Sequence, residues 1–129
     1  MSKTKKSPLQ RSMSWWREAG YLVAKTETWN PHAHKRQDLF GFADMLAIGH
    51  DQIIAVQGCG AGTIPAHQEK MADNRAAWLW MDCCGELCCD EWRPLKVKRG
   101  GVRSIFQCRR AWANHDYDKI IWDETEDVA

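Results

Sequence analysis

The sequence predicts an α/β (α+β) sandwich in which a central mixed sheet is flanked by helices. Three observations carry that prediction. The apolar and polar patterning orders the elements as helix, three strands, helix, two strands. The stretch GFADMLAIGHDQIIAVQGCG, Gly41 to Gly60, reads as two apolar runs around a polar turn. Both of its faces are apolar, so it belongs in the middle of a doubly covered sheet. A long helical stretch carrying AHQEKMADNRAAWLWM then follows.

Each element has its own signals. Residues 1–11 carry Lys3, Lys5, Lys6 and Arg11 without an acid and read as a flexible basic arm. SMSWWREAGYL is a short helix that Ser12 or Ser14 can cap and Gly20 can end. YLVAKTETW alternates as a strand does, and Asn30-Pro31 stops it. HAHKRQDLF is polar and reads as loop. After the hairpin, Gly60, Gly62 and Thr63 make a turn and an N-cap, and Pro65 is tolerated in the first helical turn. The helix runs to about Cys84, and Gly85 closes it. ELCCDEWRPL and SIFQCRRAW are two further strands separated by the turn-forming KRGG. The main domain spans 12–114, and 115–129 reads as an acidic tail.

The 129 residues, 44% hydrophobic and 27% charged, suit one globular domain with a single core. No window approaches the roughly eighteen apolar residues of a membrane span. The basic start has no apolar h-region behind it, so it is not a secretory signal. The expectation is a soluble, cytoplasmic protein of a prokaryote or of a virus-infected cell. The net charge of +1 hides a basic segment, because Arg93 to Arg110 holds seven cations and no acid. Asp116, Asp118, Asp123, Glu124, Glu126 and Asp127 reverse the sign afterwards. Of the six cysteines, four crowd into CCGELCC. Their spacing is wrong for a zinc knuckle, and adjacent strand residues point to opposite faces. They read as small buried hydrophobes. Most of the eight tryptophans read as core, with Trp15, Trp16 and Trp29 the candidates for a stacking surface.

The hairpin raises the functional question. With GHDQ as the turn, Ile48 faces Ile53 and Met45 faces Val56, so Asp44 lands opposite Gln57. Directly paired side chains have Cβ atoms about 4.5 to 5.5 Å apart on one face. A carboxylate and an amide oxygen meeting there suit a hard divalent cation. A plain Asp–Gln hydrogen bond closing the strand end satisfies the same pattern.

These residues resemble the PD-(D/E)XK nuclease superfamily, and within it the Holliday-junction resolvases and related phage nucleases. GFAD, Gly41 to Asp44, is similar to that family's Gly-X-X-Asp entry, AVQGC stands where (Asp/Glu)-X-Lys should be, and Glu18 sits on the leading helix. The resemblance covers about Ser12 to Trp92. It implies a restriction-endonuclease-like αβββαβ core. It also implies Mg2+, replaceable by Mn2+, held by Asp44, Gln57 and Glu18. The third motif is degenerate, since Gln57 replaces its acid and Cys59 its lysine. Lys70, beside Glu69 on the following helix, is the first candidate for the missing cation, and Lys25 on the first strand is the second.

The activity so implied is metal-dependent endonucleolytic hydrolysis of DNA, branched DNA included, by a two-fold homodimer without any membrane role. Arg36, Lys96, Lys98, Arg99 and Arg103 are the candidate contacts to the nucleic-acid backbone. Asp38, Arg36 and His34 stand in the loop before the motif, as supporting or phosphate contacts or as plain polar loop. Two rivals stay open. One is an inactive nuclease-fold module that binds nucleic acid or protein. The other is a zinc-dependent interaction domain built on Cys83 to Cys89.

Overall fold

The computed structural model describes residues 6–102, 104–117 and 119–128. Lys3, Lys5, Asp118 and the candidate DNA contact Arg103 lie outside the described residues. The first helix, α1 (Pro8–Glu18), starts earlier than its sequence suggests. Ser7 forms a reciprocal box with Gln10, at 3.1 Å and 2.9 Å, and Pro8 supplies the first helical position. Ser12 and Ser14 are therefore interior residues rather than caps. Part of the expected arm 1–11 is helix.

Gly20 (φ 96°) ends α1, and three short strands follow: β1 (Leu22–Lys25), β2 (Thr28–Asn30) and β3 (Lys35–Gln37). The single strand expected over Tyr21–Trp29 is broken, because the Thr26 and Glu27 N–H groups both turn to the Asp44 carbonyl, at 2.9 Å and 3.1 Å. That pulls the chain off the ladder. Among the described residues β2 then pairs with β3 alone, in the stretch expected to be loop.

The hairpin of β4 (Met45–Gly49) and β5 (Gln52–Gly60) has the expected register, with Ile48 opposite Ile53 and Met45 opposite Val56. His50 and Asp51 at its turn both take positive φ, 51° and 62°, the backbone that matches the twist of a two-residue hairpin. The expected long helix is two: α2 (Ile64–Ala72) and α3 (Arg75–Asp82). Asn74 breaks it by leaving helical geometry and accepting from the Ala76 and Ala77 N–H groups at 2.9 Å and 3.3 Å.

β6 (Glu86–Lys96) returns parallel to β5, and β7 (Ser104–Asp116), β8 (Lys119–Trp122) and β9 (Glu126–Val128) complete a sheet ordered β1-β4-β5-β6-β7-β8 with β9 beside β7. One parallel pair among antiparallel ones makes the sheet mixed, as the α2–α3 crossover requires. The fold is thus α+β, a central mixed sheet flanked by helices. The acidic segment 115–129 is not a free tail. It contributes β8 and β9, whose Glu126 and Asp127 pair opposite Arg110 and Arg109.

Each sheet face has its own core. Leu9, Trp16, Met45, Ile54, Val56 and Cys88 pack under α1. Phe42, Ala55, Cys59, Met71, Leu87 and Cys89 pack under α2 and α3. Cys88 and Cys89 thus enter opposite cores, while Cys83 and Cys84 are exposed, so the four thiols do not converge. Trp16 is buried, whereas Trp29 remains exposed. Among the described residues no helix is long and apolar enough to cross a membrane.

Candidate active site

Asp44 sits where β1 and β4 part. Its N–H bonds the Val56 carbonyl at 3.2 Å, which carries the hairpin pairing one step beyond the ladder. Its carboxylate is 3% exposed and accepts from the Gly58 N–H at 3.0 Å and from Gln57 Nε2 at 3.2 Å. The expected Asp44–Gln57 meeting is present. Gln57, however, presents its amide nitrogen where an oxygen was expected, so it braces the carboxylate as a donor.

The kink that ends β1 brings Glu27 to this point, and the β2–β3 hairpin delivers Asp38. Carboxylate oxygens of Glu27, Asp38 and Asp44 lie within 4.8 Å of one another. Burial above all, with the charges of Asp38 and Glu27 adding to it, pushes the Asp44 carboxyl up to about 8 against the pull of the Gly58 N–H. Arg36 Nε stands 3.7 Å from Glu27, but its side chain is largely exposed and compensates little of that repulsion.

The cluster opens into a cavity of about 950 Å³ between α1 and the sheet. Lys6, Arg17, Lys25 and Arg36 line it together with the three acids. Gly58 makes the geometry possible: a Cβ there would come 3.0 Å from the Leu9 nitrogen and 3.2 Å from the Pro8 carbonyl carbon. The first turn of α1 therefore rests directly on β5 beside Asp44.

Two expected site residues are elsewhere. Glu18 is the exposed last residue of α1 and does not line the cavity, although its neighbour Arg17 does. Successive helical residues point about 100° apart, so Arg17 faces the cavity while Glu18 does not. Lys70 is exposed on α2, which covers the opposite face from α1, and does not line the cavity; Lys25 does. Cys59, at the lysine position of the motif, is buried in the α2-side core with its thiol 3.6 Å from the Gln57 carbonyl. A hydrogen bond with Cys89, and then one with His67, draw its pKa down to about 7 against the opposing push of burial.

Glu27 escaped the sequence reading altogether. The signal for it was the register itself: Lys25 pairs with Met45, so the residues just after Lys25 must arrive beside Asp44. Asp38 was visible as a polar neighbour, but its role depends on the β2–β3 turn. Lys96 ends β6 and Lys98 and Arg99 occupy the turn that follows, all exposed and remote in sequence from the acids.

Comparison with protein-family models, curated proteins and solved structures finds no match to this chain.

Proposed function

We propose that the chain is a divalent-metal-dependent endodeoxyribonuclease with a restriction-endonuclease-like αβββαβ core. The observation that carries this reading is the gathering of Glu27, Asp38 and Asp44 within 4.8 Å at the mouth of a cation-lined cavity. Three hard oxygen donors suit Mg2+ or Mn2+, and a cation there offsets the burial, and the lesser repulsion from Asp38 and Glu27, that favour protonated Asp44. Glu27, Asp38 and Asp44 are the residues that would hold it. When bound, such an ion activates water and neutralises charge on a phosphodiester under attack.

The chain's own groups do the rest. Gly58 N–H and Gln57 Nε2 hold the Asp44 carboxylate in one orientation. Lys25 is the cation positioned to steady developing negative charge, taking the part assigned by the family pattern to the residue at Cys59. Lys6, Arg17 and Arg36 draw the polyanion into the cavity. The substrate is DNA, branched forms included, the working unit a two-fold dimer, and the setting the cytoplasm of a prokaryote or an infected cell.

One observation favours a second reading, an inactive nuclease-fold binding module: Gln57 and Cys59 stand where the motif needs an acid and a lysine. Cleavage of linear, single-stranded and four-way DNA with Mg2+ or Mn2+ separates the two. The enzyme reading requires cuts that vanish in Asp44→Ala and Glu27→Gln. Equal products from wild type and variants, or no products at all, leave the binding module as the better account.

A further inference from the structure

β6 and β7 outlast the rest of the sheet. The last pair made by β5 is Gly60 with Trp92, and β9 ends opposite Cys108. Beyond these points the pairs Arg93–Gln107, Pro94–Phe106, Leu95–Ile105 and Lys96–Ser104 form a ribbon with both edges open among the described residues. Gly100 (φ 76°) and the Gly101 N–H bond to the Lys98 carbonyl at 2.9 Å shape the turn at its tip.

A two-stranded ribbon is marginal by itself in water, and apolar side chains exposed on one invite unwanted association. This one nonetheless exposes Leu95, Val97, Ile105 and Phe106, between 36% and 55%, and leaves Val102 98% exposed. It also carries Arg93, Lys96, Lys98 and Arg99 with no acid anywhere between Arg93 and Arg110. The register separates its surfaces: Leu95 and Ile105 share one face, and Lys96 and Ser104 the other. Its root is braced by the Arg11 guanidinium, 3.4 Å from the centre of the Phe106 ring.

We propose that the β6–β7 ribbon is a DNA-reading arm that enters the major groove of a B-form duplex beside the acidic site. The inference rests on the nuclease reading for its substrate and deepens it, requiring double-stranded DNA next to the phosphate that enters the cavity. Charge selects the partner, because an acid-free basic ribbon complements a polyanion. Shape narrows it further. The B-form major groove, about 12 Å wide, admits a two-stranded ribbon and offers thymine methyl groups to apolar side chains. The position fits as well: Gln57 pairs with Cys89, four residues before Arg93, so the ribbon leaves the same end of the sheet about 13 Å beyond the site.

The test is DNA binding by fluorescence anisotropy in chelator, so that cleavage plays no part. Wild type and the triple variant Lys96→Ala, Lys98→Ala, Arg99→Ala are titrated with a short DNA duplex, the same single strand and the matching RNA duplex at several salt concentrations. These residues are exposed, and matched thermal melts check that the fold survives. Wild type should prefer the DNA duplex over both other forms, since the A-form major groove is too narrow for the ribbon. The triple variant should lose roughly tenfold or more in duplex affinity and about 2 to 3 in salt slope, close to one for each phosphate contact removed. The control Lys119→Ala should change neither. A variant that binds the duplex like wild type overturns the proposal, as does equal wild-type affinity for the RNA duplex. So does a loss confined to self-association in sedimentation, which would make the ribbon a dimer contact. Duplex binding that responds as expected, from a protein that cuts nothing, sustains the arm and sinks only the nuclease reading.

Discussion

Asp44 is held between two demands. Its burial favours the protonated form, and its place beside Glu27 and Asp38 gains from a cation only when it is ionised. The consequence for stability follows by linkage. Between the unfolded carboxylate value, near 4, and about 8, the folded state keeps a proton that the unfolded state has released. Stability therefore falls as pH rises through that window, by at most about 1.4 kcal/mol per pH unit. Asp44→Asn removes the penalty, so without divalent metal its melting temperature should exceed that of wild type at pH 8, with the gap closing toward pH 4. Added Mg2+ should raise the wild-type melt at pH 8 and leave the variant unmoved. A variant less stable than wild type at pH 8 in chelator contradicts this account. Gln57→Glu trades a donor to Asp44 for a fourth negative charge. It should lower the chelator melt and sharpen the response to Mg2+. For cleavage, Glu27→Gln should be as damaging as Asp44→Ala, while Glu18→Gln should be silent because its side chain lies outside the cavity.

At the scale of elements, α1 is pinned to the sheet by one buried carboxylate. Asp90 is fully buried and pairs with Arg110, while Ser12 Oγ and Trp16 Nε1 donate to it at 2.9 Å and 3.0 Å. Trp92 Nε1 completes the set by donating to Ser12 Oγ at 2.8 Å. A satisfied buried network adds little net stability but makes breakage expensive. Arg110→Met leaves the Asp90 charge uncompensated and should cost about 3 to 5 kcal/mol in denaturant unfolding. Since α1 also walls the cavity, the same variant should weaken metal binding from a distance, read as a smaller Mg2+-induced shift of the melt. None of this was legible as a pattern. The sequence offered Ser12 as a cap and Asp90 as one acid in a strand. Their partnership joins residues 78 positions apart.

The molecule as a whole closes its sheet with the segment that looked like a tail. Trp122 packs against the α2-side core, Trp112 Nε1 donates to Glu126 at 3.1 Å, and Ala113 pairs with Trp122. Truncation after Asn114 therefore removes two strands and bares the β7 edge. It should lower the melting temperature and broaden the transition, whereas a solubilising tail would leave both unchanged. Charge composition misled here because it ignores alternation. The acids of β9 stand opposite Arg109 and Arg110, and Ile120 and Trp122 of β8 pack on the core between the exposed Lys119 and Ile121.

Local chemistry was enough for the β4–β5 hairpin. An apolar run, a turn that accepts positive φ and a second apolar run leave one register that buries both faces, and that register alone brought Asp44 to Gln57. The same local logic located β1, β4, β5, β6 and β7 and the helical segments, though not the break between α2 and α3, and their order implied a mixed sheet. It did not reach the acid set. Glu27, Asp38 and Asp44 come from three segments whose meeting depends on backbone bonds from Thr26 and Glu27 to Asp44 and on the separate β2–β3 pairing. Glu18 lies on a part of α1 that does not line the cavity, and Lys70 on a helix packed against the other face of the sheet. Side-chain type and spacing specify what an element can be. Long-range hydrogen bonds and burial select which elements meet, and the cluster of three acids exists only at such a meeting.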